Sequence, residues 1–274
     1  MITREELKNY KGAFLSRESD SLYVLPHILL RPYISCYTIS FPVGMPDEFT
    51  VLPTASSRFV FALDENGIHS SIVGINTKAI SIGKYASKME MLLLIEFHTG
   101  GFYPFVKPEQ HELVDISFNL TELDKSLSDI IKIELIKSKN IKSLFTALDG
   151  IFLRFLANFH EIRIIAAMKN EILARSGNMT TKELSSIFHY SERHIRRLFL
   201  RYIGTSPKIF SRIVRINYVL NLLQSDNTRL IDITMKAGFF DQAHFIHDFK
   251  SVCGITPLNY IKDMSLFYND EFKI

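Results

Sequence analysis

Between residues 22 and 119, apolar and polar positions follow one another in short runs bounded by Pro and Gly, and several runs alternate with the period of two that a half-buried strand requires. In YISCYTISF (33–41), Tyr33, Tyr37, Ile39 and Phe41 fall on one face and Cys36, Thr38 and Ser40 on the other. RFVFAL (58–63) and IHSSIVG (68–74) flank DENG (64–67), and Asn66-Gly67 predicts a hairpin turn between two strands. MLLLIEF (91–97) is a continuous apolar strand. A mainly-β domain over residues 1–119 follows.

From residue 120 the apolar spacing changes to three and four, the period of a helix face. LTELDKSLSDIIKIEL and SLFTALDGIFLRFLANF predict two helices over 120–159, a helical linker or dimerisation region that packs on the β domain or on a second copy of the chain. A third helix, IRIIAAMKNEILARSG, is expected to stop at Gly177, where glycine suits the left-handed position after a helix.

The C-terminal stretch contains a repeat at an offset of 50 residues. Tyr190-Ser191 matches Phe240-Asp241, Ile195 matches Phe245, Phe199 matches Phe249, Gly204 matches Gly254, Ser206-Pro207 matches Thr256-Pro257, and Phe210 matches Tyr260. Each copy reads as a short helix, a turn, a capped second helix, then Gly-x-[ST]-Pro opening another helix. A duplicated helix-turn-helix accounts for that order. Between the copies, Ile209, Ile213, Ile216, Leu220 and Leu223 recur at helical spacing in a central helix over 209–223. A helix of this length spans roughly 22–27 Å at ~1.5 Å per residue. The width of the units then brings the two second helices near the ~34 Å between adjacent major grooves on one face of double-stranded DNA.

In the helix capped by Ser191, Ile195, Leu198, Phe199 and Tyr202 form an apolar stripe, and Arg193, Arg196, Arg197 and Leu200 face away from it. The 23 residues from 193 to 215 hold seven basic side chains (Arg193, Arg196, Arg197, Arg201, Lys208, Arg212 and Arg215) and no acidic one. A solvated helix face explains many charge runs, but an acid-free run on the outer side of a helix-turn-helix suits DNA phosphate, and arginine bonds guanine bidentately. Phosphate contacts are expected from Arg201, Lys208 and Arg212, and base contacts from Arg193, Arg196 and Arg197. In the helix capped by Asp241, Phe245, Phe249 and Val252 face inward, Ala243, His247 and Lys250 outward, with Gln242 and Ile246 flanking. Residues 226–263 carry four basic and five acidic side chains, so this unit brings little electrostatic affinity and either reads bases through Gln242 and His247 or locates its neighbour.

The net charge of +3 averages over these unlike parts. Residues 1–119 carry 10 basic and 13 acidic side chains, whereas 176–274 carry 13 and 9. A hydrophobic fraction of 47% with 22 Phe among 274 residues excludes a disordered chain and suits two modest domains. Cys36 and Cys253 are no disulfide framework, so a reducing interior is expected. MITREELKNYKGAF lacks the apolar stretch of a signal peptide, and no run reaches the roughly 18 apolar residues of a membrane span. The expectation is a cytoplasmic protein with no membrane partner.

Residues 160–263 resemble the DNA-binding domain of the AraC/XylS family of bacterial transcription regulators. The resemblance rests on TTKELSSIFHYSERHIRRLFLRYIGTSPKIFSRIVRINYVLNLL and, more specifically, on IDITMKAGFFDQAHFIHDFKSVCGITPLNYI, which is similar to the family's A-x-x-x-G-F-x-[DS]-x-S-[HY]-F-x-R-x-F-K-x-x-x-G-x-[ST]-P-x-x-[YF]. It implies that Arg193, Arg196 and Arg197 face bases from the first recognition helix, and Gln242, Ala243, Ile246 and His247 from the second. His247 stands where the family usually has Arg, and Ala243 where it usually has Ser. LRPYISCYTISFP, VLPTASSRFVFAL and IEFHTGGFYPFVKPEQHELVDI resemble the β domain that precedes this module in some members, which implies a cupin-like fold.

The expected fold class is α+β: a mainly-β, cupin-like N-terminal domain, a helical linker, and an all-α C-terminal domain of two helix-turn-helix units joined by a central helix, with a tail over 264–274. The expected function is sequence-specific DNA binding, controlled through the N-terminal domain by a small-molecule effector or a partner, with RNA polymerase as a further partner if the protein activates. A ligand-independent homodimeric regulator is the alternative. Aromatics at Tyr33, Tyr37, Phe41, Phe59, Phe61 and Tyr103 line either a ligand pocket or, more simply, the β-domain core. A metal-binding enzyme fused to the module would draw on Glu96, His98, His69 and His111, but the cupin His-x-His pattern is missing. Gly100-Gly101 matches neither nucleotide-binding glycine motif, and no cofactor is expected.

Overall fold

The computed structural model describes residues 2–18, 20–42, 50–82, 88–106, 108–157, 159, 163–224, 229–262 and 267–268. The strands, in chain order, are β1 (Ser16–Arg17), β2 (Ser21–Val24), β3 (Ile34–Ser40), β4 (Thr50–Val51), β5 (Arg58–Asp64), β6 (Gly67–Val73), β7 (Ile80–Ser81), β8 (Met91–Phe97), β9 (Ser117–Asn119) and β10 (Phe267–Tyr268). Seven of them form an antiparallel sheet in the order β1-β2-β3-β8-β5-β6-β9, and β10-β4-β7 form a small second sheet. The central strands β3, β8 and β5 are among those the sequence predicts. Tyr37, Ile39, Phe59, Phe61, Leu93 and Ile95 all point into one core.

The cover of that core comes from one helix before the strands and three after them: α1 (Arg4–Asn9), α2 (Leu120–Leu123), α3 (Lys125–Lys137) and α4 (Ile141–Leu156) contribute Leu7, Leu120, Ile131, Leu135, Leu144, Leu148 and Phe152. The Tyr37 ring stacks on Phe145 with centroids 5.4 Å apart, and its hydroxyl donates to Asp149 Oδ1 at 3.0 Å. Burial and the neighbouring Asp149 carboxylate push the Tyr37 phenol well above its ordinary value. The helices α2, α3 and α4 are thus part of the β domain's own core.

Three local expectations change. The hairpin turn is Glu65-Asn66 and Gly67 is the first residue of β6, because Asp64 Oδ1 accepts from Asn66 N at 2.8 Å and closes the turn one residue earlier. The single helix expected over LTELDKSLSDIIKIEL breaks at Asp124, whose side chain caps α3 by accepting from Leu127 N at 2.9 Å. And β3 is buried on both faces, the polar one through paired groups: Cys36 Sγ donates to Glu96 Oε2 at 3.1 Å and Ser21 Oγ to Ser40 Oγ at 2.9 Å.

The C-terminal part is all helix: α5 (Arg163–Ala174), α6 (Thr181–Phe188), α7 (Glu192–Tyr202), α8 (Pro207–Gln224), α9 (Leu230–Lys236), α10 (Gln242–Cys253) and α11 (Pro257–Lys262). Gly177 has φ +77°, and its N–H donates to Ile172 O at 2.9 Å, the left-handed stop the sequence predicts. The chain is therefore α+β, a mainly-β N-terminal domain followed by helices that end in two helix-turn-helix units, α6-α7 and α9-α10, joined by α8. Of the tail over 264–274, residues 267–268 pair as β10 with β4, and the others lie outside the described residues.

Each unit has its own core, and the N-terminal domain enters both. Ala55 and Ile75 pack with Ile195, Phe199, Phe210 and Ile213 of the first unit, and Leu52 packs with Phe245 and Phe249 of the second. Asn217 Nδ2, on α8, donates to Pro53 O at 3.4 Å, and Ala79 N donates to Val252 O at 3.0 Å. Residues 52–55 and 75–79 lie across both units.

Candidate nucleic-acid interface

The first unit opens with a capping box at Thr180, whose hydroxyl accepts from Glu183 N while Glu183 Oε2 accepts from Thr180 N. Its turn passes through His189 in the left-handed region (φ +59°), and Ser191 then caps α7 by accepting from His194 N at 3.3 Å. Ile195 and Phe199 are buried, which fixes the rotation of α7 and leaves Arg193, Arg196 and Arg197 exposed. Arg196 meets Glu192 at 3.4 Å, an exposed contact of little energetic weight. Arg197 lies 3.0 Å from His194 Nδ1, and His194 stacks on Tyr190 with centroids 5.0 Å apart. Lys208, in the first turn of α8, is exposed.

The other basic residues of the run are engaged. Arg212 Nε donates to Asp248 Oδ1 of α10 at 2.5 Å, and its Nη2 donates to Ser251 Oγ, so it ties the central helix to the second recognition helix. Arg215 is half-buried, with its guanidinium 5.2 Å over the Phe239 ring and Nη2 donating to Gly177 O at 3.2 Å. Burial lowers its pKa, against the pull of Asp248. Arg201 leaves α7 toward the N-terminal domain, where Nε is 3.7 Å from Glu109 Oε1. A hydrogen bond to Tyr103, with the nearby Tyr202 and Tyr103 rings and Glu109, raises its pKa.

Leu198 and Tyr202, which the helical stripe places in the unit's own core, are half-buried instead. The Tyr202 ring meets Tyr103 edge-on at 4.6 Å, and Leu198 lines an open groove with Glu109, His111 and the arginines of α7. The reason is the 3-10 turn Gln110–Leu113, which approaches the end of α7 so closely that a Cβ on Gly204 (φ +102°) would lie 2.9 Å from Gln110 O. No periodicity within α7 signals a neighbour supplied by a segment 90 residues earlier.

In the second unit Asp241 Oδ1 accepts from His244 N at 2.7 Å and starts α10. Gln242, Ala243, His247 and Lys250 are exposed, while Ile246 is turned partly onto the core beside Phe245. Phe240, which the repeat set aside as an aromatic match to Tyr190, is 92% exposed. Among the aromatics named as pocket candidates, Tyr37, Phe59 and Phe61 are core. Tyr33 and Tyr103 instead line a cleft of about 70 Å³ between the domains, with Lys169 and Tyr202 on its far wall. The metal candidates are apart: Glu96 holds Cys36, His69 pairs with Asp64 at 2.9 Å and His111 with Glu109 at 3.4 Å, and among the described residues no three metal-ligating side chains cluster. Among the same residues, no helix is long and apolar enough to cross a membrane.

Two capped helix-turn-helix units, the first with three exposed arginines on its second helix, define a DNA-binding protein of the double helix-turn-helix class. A helix-turn-helix domain model matches residues 184–263. The transcriptional activator AarP of Providencia stuartii is 31% identical over 99 residues, which are 34% of this chain and 72% of AarP. The uncharacterized regulator YisR of Bacillus subtilis is 31% identical over 86 residues, 31% of this chain and 30% of YisR, so the chain spans under a third of that relative. A crystal structure of a probable AraC family regulator from Rhodopseudomonas palustris shares 25% identity and a TM-score of 0.33, over 36% of this chain and 95% of that one. The chain belongs to the AraC family of transcription regulators.

Proposed function

We propose that the chain regulates transcription by binding a specific double-stranded DNA site across two adjacent major grooves. The observation that carries this reading is the outer face of α7, where Arg193, Arg196 and Arg197 stand exposed in a stretch free of acidic residues. In this reading those three arginines contact base edges, and Lys208 and Arg201 contact phosphates. Arg212 adds less than its charge suggests, because Asp248 already engages it. Gln242, Ala243, His247 and Lys250, with Ile246 at the margin, form the second reading surface. The 18 residues of α8 set the distance between the surfaces, about 27 Å along the helix.

Control comes through the N-terminal domain. Glu109, Tyr103 and Gln110 hold the end of α7 and the turn after it, so an effector or a partner that shifts this contact changes how the first unit meets DNA. The α3 face, with Ile130, Ile133 and Ile136 exposed, is the surface for a homodimer, and RNA polymerase is a partner if the outcome is activation. Selection of binding sites from random duplex DNA with the full chain tests the reading. An enriched two-part site with a steep salt dependence is expected, and enrichment of no sequence overturns it.

A further inference from the structure

The two copies of the helix-turn-helix treat one equivalent aromatic residue in opposite ways. In the first unit Tyr190 is 39% exposed and stacked on His194, four residues on, at an interplanar angle of 14°. In the second unit the equivalent histidine, His244, is taken by Phe239, which it meets edge-on at 5.4 Å. Phe239 is buried against Phe245 and the Arg215 guanidinium, so the next residue, Phe240, is turned outward. Asp241 then caps α10 from an extended conformation (φ −151°, ψ 173°). The Phe240 ring is therefore presented from a backbone fixed on both sides.

A phenyl ring 92% exposed leaves nearly all of its apolar surface available to a partner. Its position names one. It stands immediately before the N-cap of the second recognition helix, whose first exposed residues are Gln242 and Ala243, and the N-terminal residues of such a helix are those that reach base edges. Residues 226–263 carry four basic and five acidic side chains, so this surface gains little from phosphate and depends on base contacts. The only apolar group that a base presents in the major groove is the thymine methyl.

We propose that Phe240 packs on the C5-methyl of a thymine in the second half of the operator and sets the sequence preference there. This rests on the DNA-binding reading above. The test uses the full chain and a duplex taken from random-DNA selection, with each thymine of the second half-site replaced in turn by uracil, which keeps the pairing and removes the methyl. Wild type should lose about fourfold in affinity at one position, the effect of one buried methyl group. Phe240→Ala should bind the thymine and uracil duplexes alike, keep its preference in the first half-site and melt at the wild-type temperature, and Phe240→Leu should restore part of the discrimination.

If wild type is indifferent to every uracil, or Phe240→Ala still discriminates, the assignment to thymine is wrong. A Phe240→Ala variant that keeps full discrimination but fails to activate a reconstituted polymerase would place the ring on a protein instead, and also overturns it. Selection that enriches no sequence at all removes the DNA-binding reading and this inference together, whereas an enriched site without a methyl effect removes only this one.

Discussion

Arg201 Nε, on the first recognition helix, lies 3.7 Å from Glu109 Oε1 of the N-terminal domain, so a side chain expected to meet phosphate already has an anion beside it. In the proposed DNA-binding reading, DNA and Glu109 compete for one guanidinium. Glu109→Gln removes the competitor and leaves the shape. Affinity for duplex DNA should rise at low salt, and the slope of log affinity against log salt should steepen by up to about one phosphate contact. Titrations of wild type and variant between low and moderate salt check this; equal slopes and equal affinities would show that Arg201 does not reach DNA.

Arg212→Ala acts on a different joint. Its ion pair with Asp248 and its bond to Ser251 run from α8 to α10, and Asp248 is mostly buried. Losing it should cost about 1 kcal/mol, toward the upper end for a partly exposed pair, and should loosen the second unit first. Hydrogen exchange should accelerate in α10 more than in α7, and uniform exchange across both units would contradict this role.

These contacts also show what the sequence can and cannot convey. The strands β3, β5, β6 and β8, the position of α7 and α10 and the stop at Gly177 are readable because each depends on its own neighbours: alternation for β3, a continuous apolar run for β8, caps at Ser191 and Asp241, a glycine at a left-handed turn. The outward direction of Arg193, Arg196 and Arg197 followed from the burial of Ile195 and Phe199 in the same helix. By contrast, the half-burial of Leu198 and Tyr202, the capture of Arg201 by Glu109 and the sharing of Arg212 with Asp248 depend on partners 36 to 99 residues away, which local periodicity does not encode. The exposure of Phe240 is intermediate. The repeat placed it opposite Tyr190, but which of Phe239 and Phe240 turns inward is decided by the packing of Phe239 on Phe245 and Arg215.

His98 immediately precedes Thr99, which lines the cleft between the domains, and burial, with the nearby Lys169 ammonium, lowers its pKa. The folded state then binds a proton less readily than the unfolded chain, so stability is fully present above the unfolded value of about 6.5 and falls as pH drops from there through the lower folded value. Melting temperature should decline between pH 7.5 and 5, and His98→Gln should show a shallower decline than wild type. Parallel curves would mean that other groups carry the acid sensitivity.

Lys208 and Arg197 provide the sharpest contrast in roles, because both are exposed, both are basic and they flank the same turn. If Lys208 meets phosphate, Lys208→Ala should weaken binding to every duplex by a similar factor and reduce the salt slope by about one. If Arg197 bonds a guanine edge, Arg197→Ala should cost about 1–3 kcal/mol on the selected site and relax the preference at one position. The loss on unrelated DNA should be much smaller. Measuring both variants against the selected site and a scrambled one separates the roles, since a phosphate contact lowers the two affinities together and a base contact changes their ratio. Equal losses for Arg197→Ala on both duplexes would move it from base reading to phosphate binding and leave Arg193 and Arg196 as the readers of the first groove.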